Sequence, residues 1–402
     1  MKKKGLNTRT VHSGEKTDPL TKALKIPIST SNTFAYENMN EFLGAASSAY
    51  SFDLTEFSYF YTRTANPTTN ALEQKIASVI GCETVITTGT GMAAIAMALI
   101  ANCKKNSRIL VSDSMYRSTN QLTTEIMPKF GIEFDYIDFR NLETLESLLK
   151  RHNYSVVYFE SPANPTMRCY DIKEISSLSH EYNPETAILF DNTFATPVCQ
   201  HPLDLGVDFE IHSISKYING HGDALGGAIC CNDQERMSNI RREYGETFGQ
   251  VPSPFNSYLI MRGLKTLGLR VERQSENALK VAKYLSEHKK TKNVYYPGLD
   301  THPQHSIAKH QMNPYGGMLA FELESIDHVS AFLNNKLKLA KLAMDLGDIQ
   351  TLVEFPHIMT HYDLDDDLKA QTGITETLIR LSVGIEEPSD IINDLDQALE
   401  TI

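Results

Sequence analysis

From Glu83 to Ile211 the chain alternates short apolar runs with amphipathic stretches, and that alternation leaves few folds open. Glu83–Thr88, Arg108–Ser112, Ile132–Ile137, Ser155–Glu160 and Ala187–Phe190 have the length and composition of strands, and Val207–Ile211 is a further apolar segment. Between them Ala93–Ile100 reads as an apolar helix, Leu142, Leu145 and Leu149 mark a helical face, and Ile172–Tyr182 reads as a helix. Strands that alternate with helices imply a mostly parallel sheet covered on both faces. Ligands of such sheets bind beyond the carboxyl ends of the strands.

The polar residues fall where that rule needs them. Tyr116, Asn164, Asp191 and Lys216 all lie at or just past expected strand ends. Lys216 follows the segment Val207–Ile211, is flanked by Ser213 and Ser215, and precedes a glycine-rich turn ending in Gly227. An amine held half out of water is pushed toward its neutral form and can attack a carbonyl. Thr88-Gly89-Thr90-Gly91-Met92 joins a strand to a helix through small residues. Bare amides and the positive helix end suit a phosphate there; a tight turn before a buried helix is the plainer alternative. Tyr61-Thr-Arg63 precedes Asn66-Pro67, which breaks regular structure, and the following Thr can cap a helix faced by Leu72, Ile76, Val79 and Ile80. Arg63 there is either an anion contact or a solvated charge. Arg380 sits inside the apolar strand Thr377–Val383 and needs an anion, either a structural carboxylate or a substrate carboxylate bound bidentately.

Composition narrows the partners. The formal net charge of −12 gives no field to gather polyanions, so nucleic acid and anionic membrane are excluded as expected partners. The six cysteines form no CxxC or other metal spacing, which fits a reducing compartment. His302, His305 and His310 lie in a loop-like stretch without nearby cysteine and read as structural or solvated, so no metal site is expected. Met1-Lys-Lys-Lys has no apolar run behind it, and no stretch is long enough to span a bilayer; the cytoplasm is the expected location.

The expected organisation has three parts. Residues 1–60, with Pro19, Pro27 and the Ser29–Thr33 cluster, suggest an extended arm that packs on a neighbour or a second subunit. Residues 61–257 carry the ligand-binding domain and 258–402 a smaller α/β domain. The latter is expected to hold a long helical stretch from Tyr258 to about His288, a strand at Gly317–Leu323 and a helix at Val329–Leu337.

Together these residues resemble the Cys/Met-metabolism family of pyridoxal-phosphate enzymes. The likeness runs from Val11-His-Ser-Gly14 through Tyr61-x-Arg63-x-x-Asn-Pro-Thr to Arg380-Leu-Ser-Val-Gly-Ile-Glu386. Asp191-Asn-Thr-Phe-Ala-Thr-Pro197 and Ser213-Ile-Ser-Lys-Tyr-Ile-Asn-Gly-His-Gly-Asp223 carry it most specifically. The resemblance implies an aminotransferase-like, fold type I enzyme, with a large mostly parallel sheet domain and a smaller C-terminal α/β domain. It also implies a homotetramer of two active dimers and pyridoxal 5'-phosphate as cofactor. It makes Lys216 the Schiff-base lysine, with Gly91, Met92, Ser213 and Ser215 on the phosphate and Tyr61 and Arg63 reaching that phosphate from a neighbouring subunit. Tyr116 would stack on the ring and act as acid, Asp191 would hold the ring nitrogen, Asn164 the phenolic oxygen, and Arg380 the substrate carboxylate.

The implied reaction is α,γ-elimination from a sulfur amino acid, giving a thiol, ammonia and a 2-oxo acid. Gamma-replacement, as in a cystathionine γ-synthase or an O-acetylhomoserine sulfhydrylase, is the alternative. Two positions depart from the family pattern: Arg117-Ser118 follows Tyr116 where Gly-Gly or Gly-Cys is usual, and Asp345 stands where a serine is common. Arg117 and Asp345 either line the substrate side and reshape it, with a contact between them as one means, or one or both point away from it. A dinucleotide-binding protein built on Gly89–Met92 is the rival from another class; it lacks a full GxGxxG and leaves Lys216 and Asp191 idle.

Overall fold

A computed structural model describes residues 4–18, 20–49, 58–334 and 337–402. Among them twelve strands follow in chain order: β1 Thr84–Thr88, β2 Arg108–Ser112, β3 Glu133–Ile137, β4 Val156–Glu160, β5 Ala187–Asp191 and β6 Phe209–His212. Then come β7 Gly227–Cys231, β8 Thr291–Tyr295, β9 Met318–Leu323, β10 Lys341–Leu342, β11 Leu352–Glu354 and β12 Leu378–Ser382. The chain divides into two compact units.

The first unit comprises residues 1–104, 187–193 and 202–268 and holds strands in the order β1-β7-β6-β5. β5 and β6 are parallel, whereas β7 runs antiparallel to both β6 and β1. The sheet is therefore mixed, and β7 is a strand that periodicity did not expose. Every residue of β1 is buried, as its β-branched composition favours. Helix Pro67–Ile80 begins on Asn66, whose side chain accepts from the amides of Thr68 and Thr69, with Pro67 in the first turn. The cap is thus Asn66 rather than a threonine, because the proline has no amide to lose there.

The N-terminal segment is not extended throughout. Helices Leu6–His12 and Met39–Ala49 interrupt it, while Pro19 lies outside the described residues. Its extended part is tied to its own chain. Thr68 Oγ1 donates to Pro27 O at 3.0 Å, Asn66 Nδ2 donates to Ser29 O at 2.9 Å, and Thr33 bridges Tyr61. Lys75, fully buried, donates to Thr10 O at 2.8 Å and pairs with Glu15 at 3.1 Å.

The second unit comprises residues 105–186, 194–201 and 269–402. Its strands β4-β2-β3 are parallel, as the alternation required. A five-stranded sheet runs β10-β11-β12-β9-β8, antiparallel except for β10 and β11. Phe321, Phe332, Leu381, Leu395 and Leu399 form its core with their neighbours. Each such side chain contributes ~1.5–3 kcal/mol on burial.

The expected stretch from Tyr258 to His288 is two helices, Pro254–Leu264 and Leu267–Glu287. Lys265 N and Thr266 N bond three residues back, to Arg262 O and Gly263 O, which tightens and ends the first. Ser325 caps the helix expected at Val329–Leu337, which runs Ile326–Leu333 and so begins earlier. Residues 335 and 336 of the expected helix lie outside the described residues. No helix of the described residues is long and apolar enough to cross a membrane.

Candidate active site

In the first unit a short turn joins β1 to a capped helix. Thr88 Oγ1 donates to Thr90 O at 2.8 Å, and Thr90 Oγ1 accepts from Ala93 N at 3.1 Å, capping helix Gly91–Ala101. The cap takes the third amide of the helix and leaves Gly91 and Met92 at its positive mouth. A Cβ on Gly91 would lie 2.7 Å from Ser213 Cβ and 2.9 Å from Ser213 Oγ. The helix mouth and the turn after β6 therefore approach closely only because residue 91 has no side chain.

That turn carries the lysine. Ser213 N donates to Thr193 Oγ1 at 2.8 Å, which joins it to the segment after β5. Lys216 N bonds Ser213 O at 3.2 Å and Gly220 N bonds Lys216 O at 2.6 Å, so a hydrogen-bonded turn presents Lys216, which is half-buried. Ser215 Oγ accepts from Gly226 N at 2.9 Å and donates to Gly226 O at 3.2 Å. Asp191 closes β5, is 9% exposed, and accepts from Thr193 N at 2.9 Å through Oδ1.

Behind it Glu210, buried, takes Asn192 Nδ2 at 2.7 Å and His212 Nε2 at 2.8 Å on one carboxylate oxygen. This buried support was not read from the sequence; a glutamate inside an apolar strand was the available signal. Tyr61 and Arg63 are exposed, and the Arg63 guanidinium lies 5.1 Å from the Tyr61 ring centroid.

The second unit gathers a different set. Arg380, on β12 and 2% exposed, pairs with Glu354, donates to Asn164 Oδ1 at 2.9 Å through Nη1 and to Asp345 O at 3.1 Å through Nη2. Its buried Nε has no hydrogen-bond partner among the described residues. Asn164 is itself fixed, its amide donating to Glu160 Oε1 at 2.8 Å. The Asp345 side chain accepts from Leu346 N at 2.8 Å. Tyr116, 37% exposed, precedes helix Arg117–Gln121 as its N-terminal flanking residue.

Arg117 takes a different carboxylate from the one expected. It binds Asp363 bidentately, Nε to Oδ1 at 2.6 Å, and stacks 5.2 Å from the Tyr362 ring centroid. The two groups lie far apart in sequence, and only the folding of the 355–365 loop makes Asp363 the nearer anion. Glu354, Thr360, His361 and Asp363 were all missed from sequence. Thr360 Oγ1 bonds Glu354 and meets His361 Nδ1 at 2.9 Å. Burial pushes the His361 imidazole down to about 3, with the charges of Arg380 and Arg117 adding to it.

His302 is buried and pushed down to about 4, His305 bonds Pro297 O at 2.8 Å, and His310 bonds Ser306 O at 2.6 Å. Among the described residues these three form no metal-binding group. All six cysteines are free, and burial pushes the Cys103, Cys169 and Cys199 thiols up to about 12.

An amine, helix-end amides backed by a bare glycine, and a buried acid fit a group that joins an aldehyde, a phosphate and a basic nitrogen. Pyridoxal phosphate is such a group, and the first unit alone offers that donor set. The comparisons agree. L-methionine γ-lyase of Fusobacterium nucleatum subsp. polymorphum is 41% identical over 100% of this chain and 99% of its own. Cystathionine β-lyase of Lactococcus lactis subsp. cremoris is 38% identical over 98% of this chain and 99% of its own. Cystathionine γ-synthase from Xanthomonas oryzae pv. oryzae, solved with aminoacrylate and cysteine, superposes with a TM-score of 0.91 at 32% identity, covering 99% of this chain and 98% of that one. The fold is therefore that of the fold type I enzymes. The profile of the Cys/Met metabolism PLP-dependent enzymes matches residues 7–400, and the chain belongs to that family.

Proposed function

We propose that the protein is a pyridoxal-phosphate-dependent carbon–sulfur lyase that removes the γ-substituent of a sulfur amino acid, with water, to give a thiol, ammonia and a 2-oxo acid. The observation that carries the reading is the hydrogen-bonded turn that presents Lys216, whose Ser213 meets Gly91 at the helix mouth and Thr193 just past the β5 end at Asp191. The 41% identity with a methionine γ-lyase supports methionine-like substrates. The likeness to a cystathionine γ-synthase supports γ-replacement as the second reading.

When bound, pyridoxal phosphate supplies an aldehyde for the substrate amine and a ring that accepts the electrons of the α-carbon. The protein's part is to bind, orient and move protons. The Gly91 and Met92 amides with the Ser213 hydroxyl would hold the phosphate, and the Ser215 hydroxyl would join them on giving up its bond to Gly226 O. Asp191 holds a proton on the ring nitrogen, and Asn164 meets the phenolic oxygen. Arg380 takes the substrate carboxylate, its unpartnered Nε being one donor for it. Lys216 Nζ would be the base that accepts the α-proton and passes it to the next carbon. Tyr116 would stack on the cofactor and donate the proton that lets the sulfur leave. Arg117 and Asp345 border the substrate side chain.

Tyr61 and Arg63 serve the site of a second subunit, which fits their exposure in the single chain. The assembly is a homotetramer of two active dimers working in the cytoplasm. Residues 1–60 act as the contact arm, 61–257 as the cofactor domain and 258–402 as the C-terminal domain.

The test is direct. Purified protein has a visible absorption band that borohydride removes, and Lys216→Ala lacks the band and turnover. Methionine, cystathionine, homocysteine, cysteine and O-acetylhomoserine are then supplied with and without a thiol. Appearance of 2-oxobutanoate assigns elimination and a new thioether assigns replacement. Parent-rate turnover by Lys216→Ala sinks the proposal.

A further inference from the structure

We infer that Arg117 and Asp363 form a charge lock that disfavours substrates carrying a second, distal carboxylate. The inference rests on the lyase reading above and adds a specificity-determining pair to it.

Position comes first. Arg117 directly follows Tyr116 and opens helix Arg117–Gln121. Its Nε and one terminal nitrogen both face Asp363, so the guanidinium fork that would clamp a carboxylate is already filled. The stack on Tyr362 holds the pair from the side. Asp363 in turn belongs to a short segment that also serves Arg380. His361 meets Thr360, Thr360 bonds Glu354, and Glu354 pairs with Arg380. Both guanidiniums are close enough to the buried His361 imidazole to disfavour its protonation. One segment therefore braces the arginine proposed for the α-carboxylate and the arginine beside Tyr116.

The two arginines are not equivalent. Both carry a carboxylate partner, but Arg380, beside its bonds to Glu354, Asn164 and Asp345 O, keeps a buried Nε without a partner, whereas the Nε edge of Arg117 is filled by Asp363. A substrate with one carboxylate engages Arg380 and meets no charge penalty at Arg117. A side chain ending in a carboxylate meets an occupied cation and the half-exposed Asp363 anion, and must displace one to reach the other. Arg117 is thus held back as an anion site by its own chain.

O-acetylhomoserine and O-succinylhomoserine test this, because they differ by an arm ending in a carboxylate. The readout is the ratio of kcat/KM for the succinyl ester to that for the acetyl ester, which a general loss of activity does not move. Asp363→Asn is expected to raise the ratio about tenfold, mainly through KM for the succinyl ester. Adding Arg117→Ala removes that gain. Arg117→Ala alone frees the Asp363 carboxylate and lowers the ratio below the parent value, so one variant suffices if the other does not fold. An unchanged ratio in both single variants, or a gain in Asp363→Asn that survives loss of Arg117, overturns the inference. A parent enzyme that binds pyridoxal phosphate yet turns over neither ester nor methionine overturns the lyase reading, and the inference with it.

Discussion

Glu354 and Arg380 face each other in register across the antiparallel strands β11 and β12, 1% and 2% exposed, and form an ion pair. The pair sits inside a sheet, so neither charge can turn to water for relief. Breaking one half is therefore far more costly than replacing both.

Glu354→Gln tests that cost. It leaves the buried Arg380 cation without its counter-charge and leaves one acceptor oxygen where Arg380 and Thr360 had two. The expected loss is about 3–5 kcal/mol of unfolding free energy. Urea unfolding monitored by circular dichroism measures it. A loss under about 1 kcal/mol, the size of a surface pair, would show that the sheet does not bury this charge as described.

Gly91→Ala probes the close approach at the helix mouth. The new methyl would lie 2.7 Å from Ser213 Cβ, and Ser213 is fixed by the hydrogen bond its amide donates to Thr193 Oγ1. The turn and the helix end must separate, which widens the proposed phosphate site. Dissociation of pyridoxal phosphate is expected to strengthen about tenfold in rate or more, while the helix cap at Thr90 persists. Cofactor release followed by absorbance, beside an unchanged far-ultraviolet spectrum, is the measurement.

His361 gives the fold a signature on acidification. Its folded value of about 3 lies below the ordinary 6.5, so the unfolded chain holds a proton that the folded chain lacks between those values. Stability from the neutral imidazole is fully present above about pH 6.5 and falls as pH drops toward about 3, at up to about 1.4 kcal/mol per pH unit. His361→Gln cannot take up that proton, so its stability curve should fall less steeply than the parent's between pH 6 and 4. Parallel slopes would mean that the ring does not stay neutral where it is buried.

Subunit sharing predicts complementation. Lys216→Ala and Arg63→Ala are each expected to be nearly inactive. If Arg63 serves a neighbour's phosphate, a hybrid dimer keeps one intact site. Random exchange makes about half the dimers hybrid, so about a quarter of parental activity should return. No recovery after verified subunit exchange would assign Arg63 to the site of its own chain.

Much of the local framework of the candidate site was legible in the chain itself. The strands ending near Thr88, Ser112 and Asp191, and the turn that holds Lys216, depend on residues close together in sequence. Local patterning reports them because apolar periodicity and small-residue turns act over a few residues. The partners of the arginines were not legible. Asp363 lies 246 positions from Arg117. Glu354 opposes Arg380 only because a three-residue strand takes that register. The direction of β7 was equally hidden, since Gly227–Cys231 reads the same whichever way its neighbours run.

The sequence by itself thus determined the alternating elements, the bare glycine at 91 and the lysine after its strand, because each follows from local sterics and burial. Only the tertiary structure decided which acid neutralises each arginine. A charge pairs with whatever anion the packed backbone brings within a few ångströms, and that choice is made between segments remote along the chain.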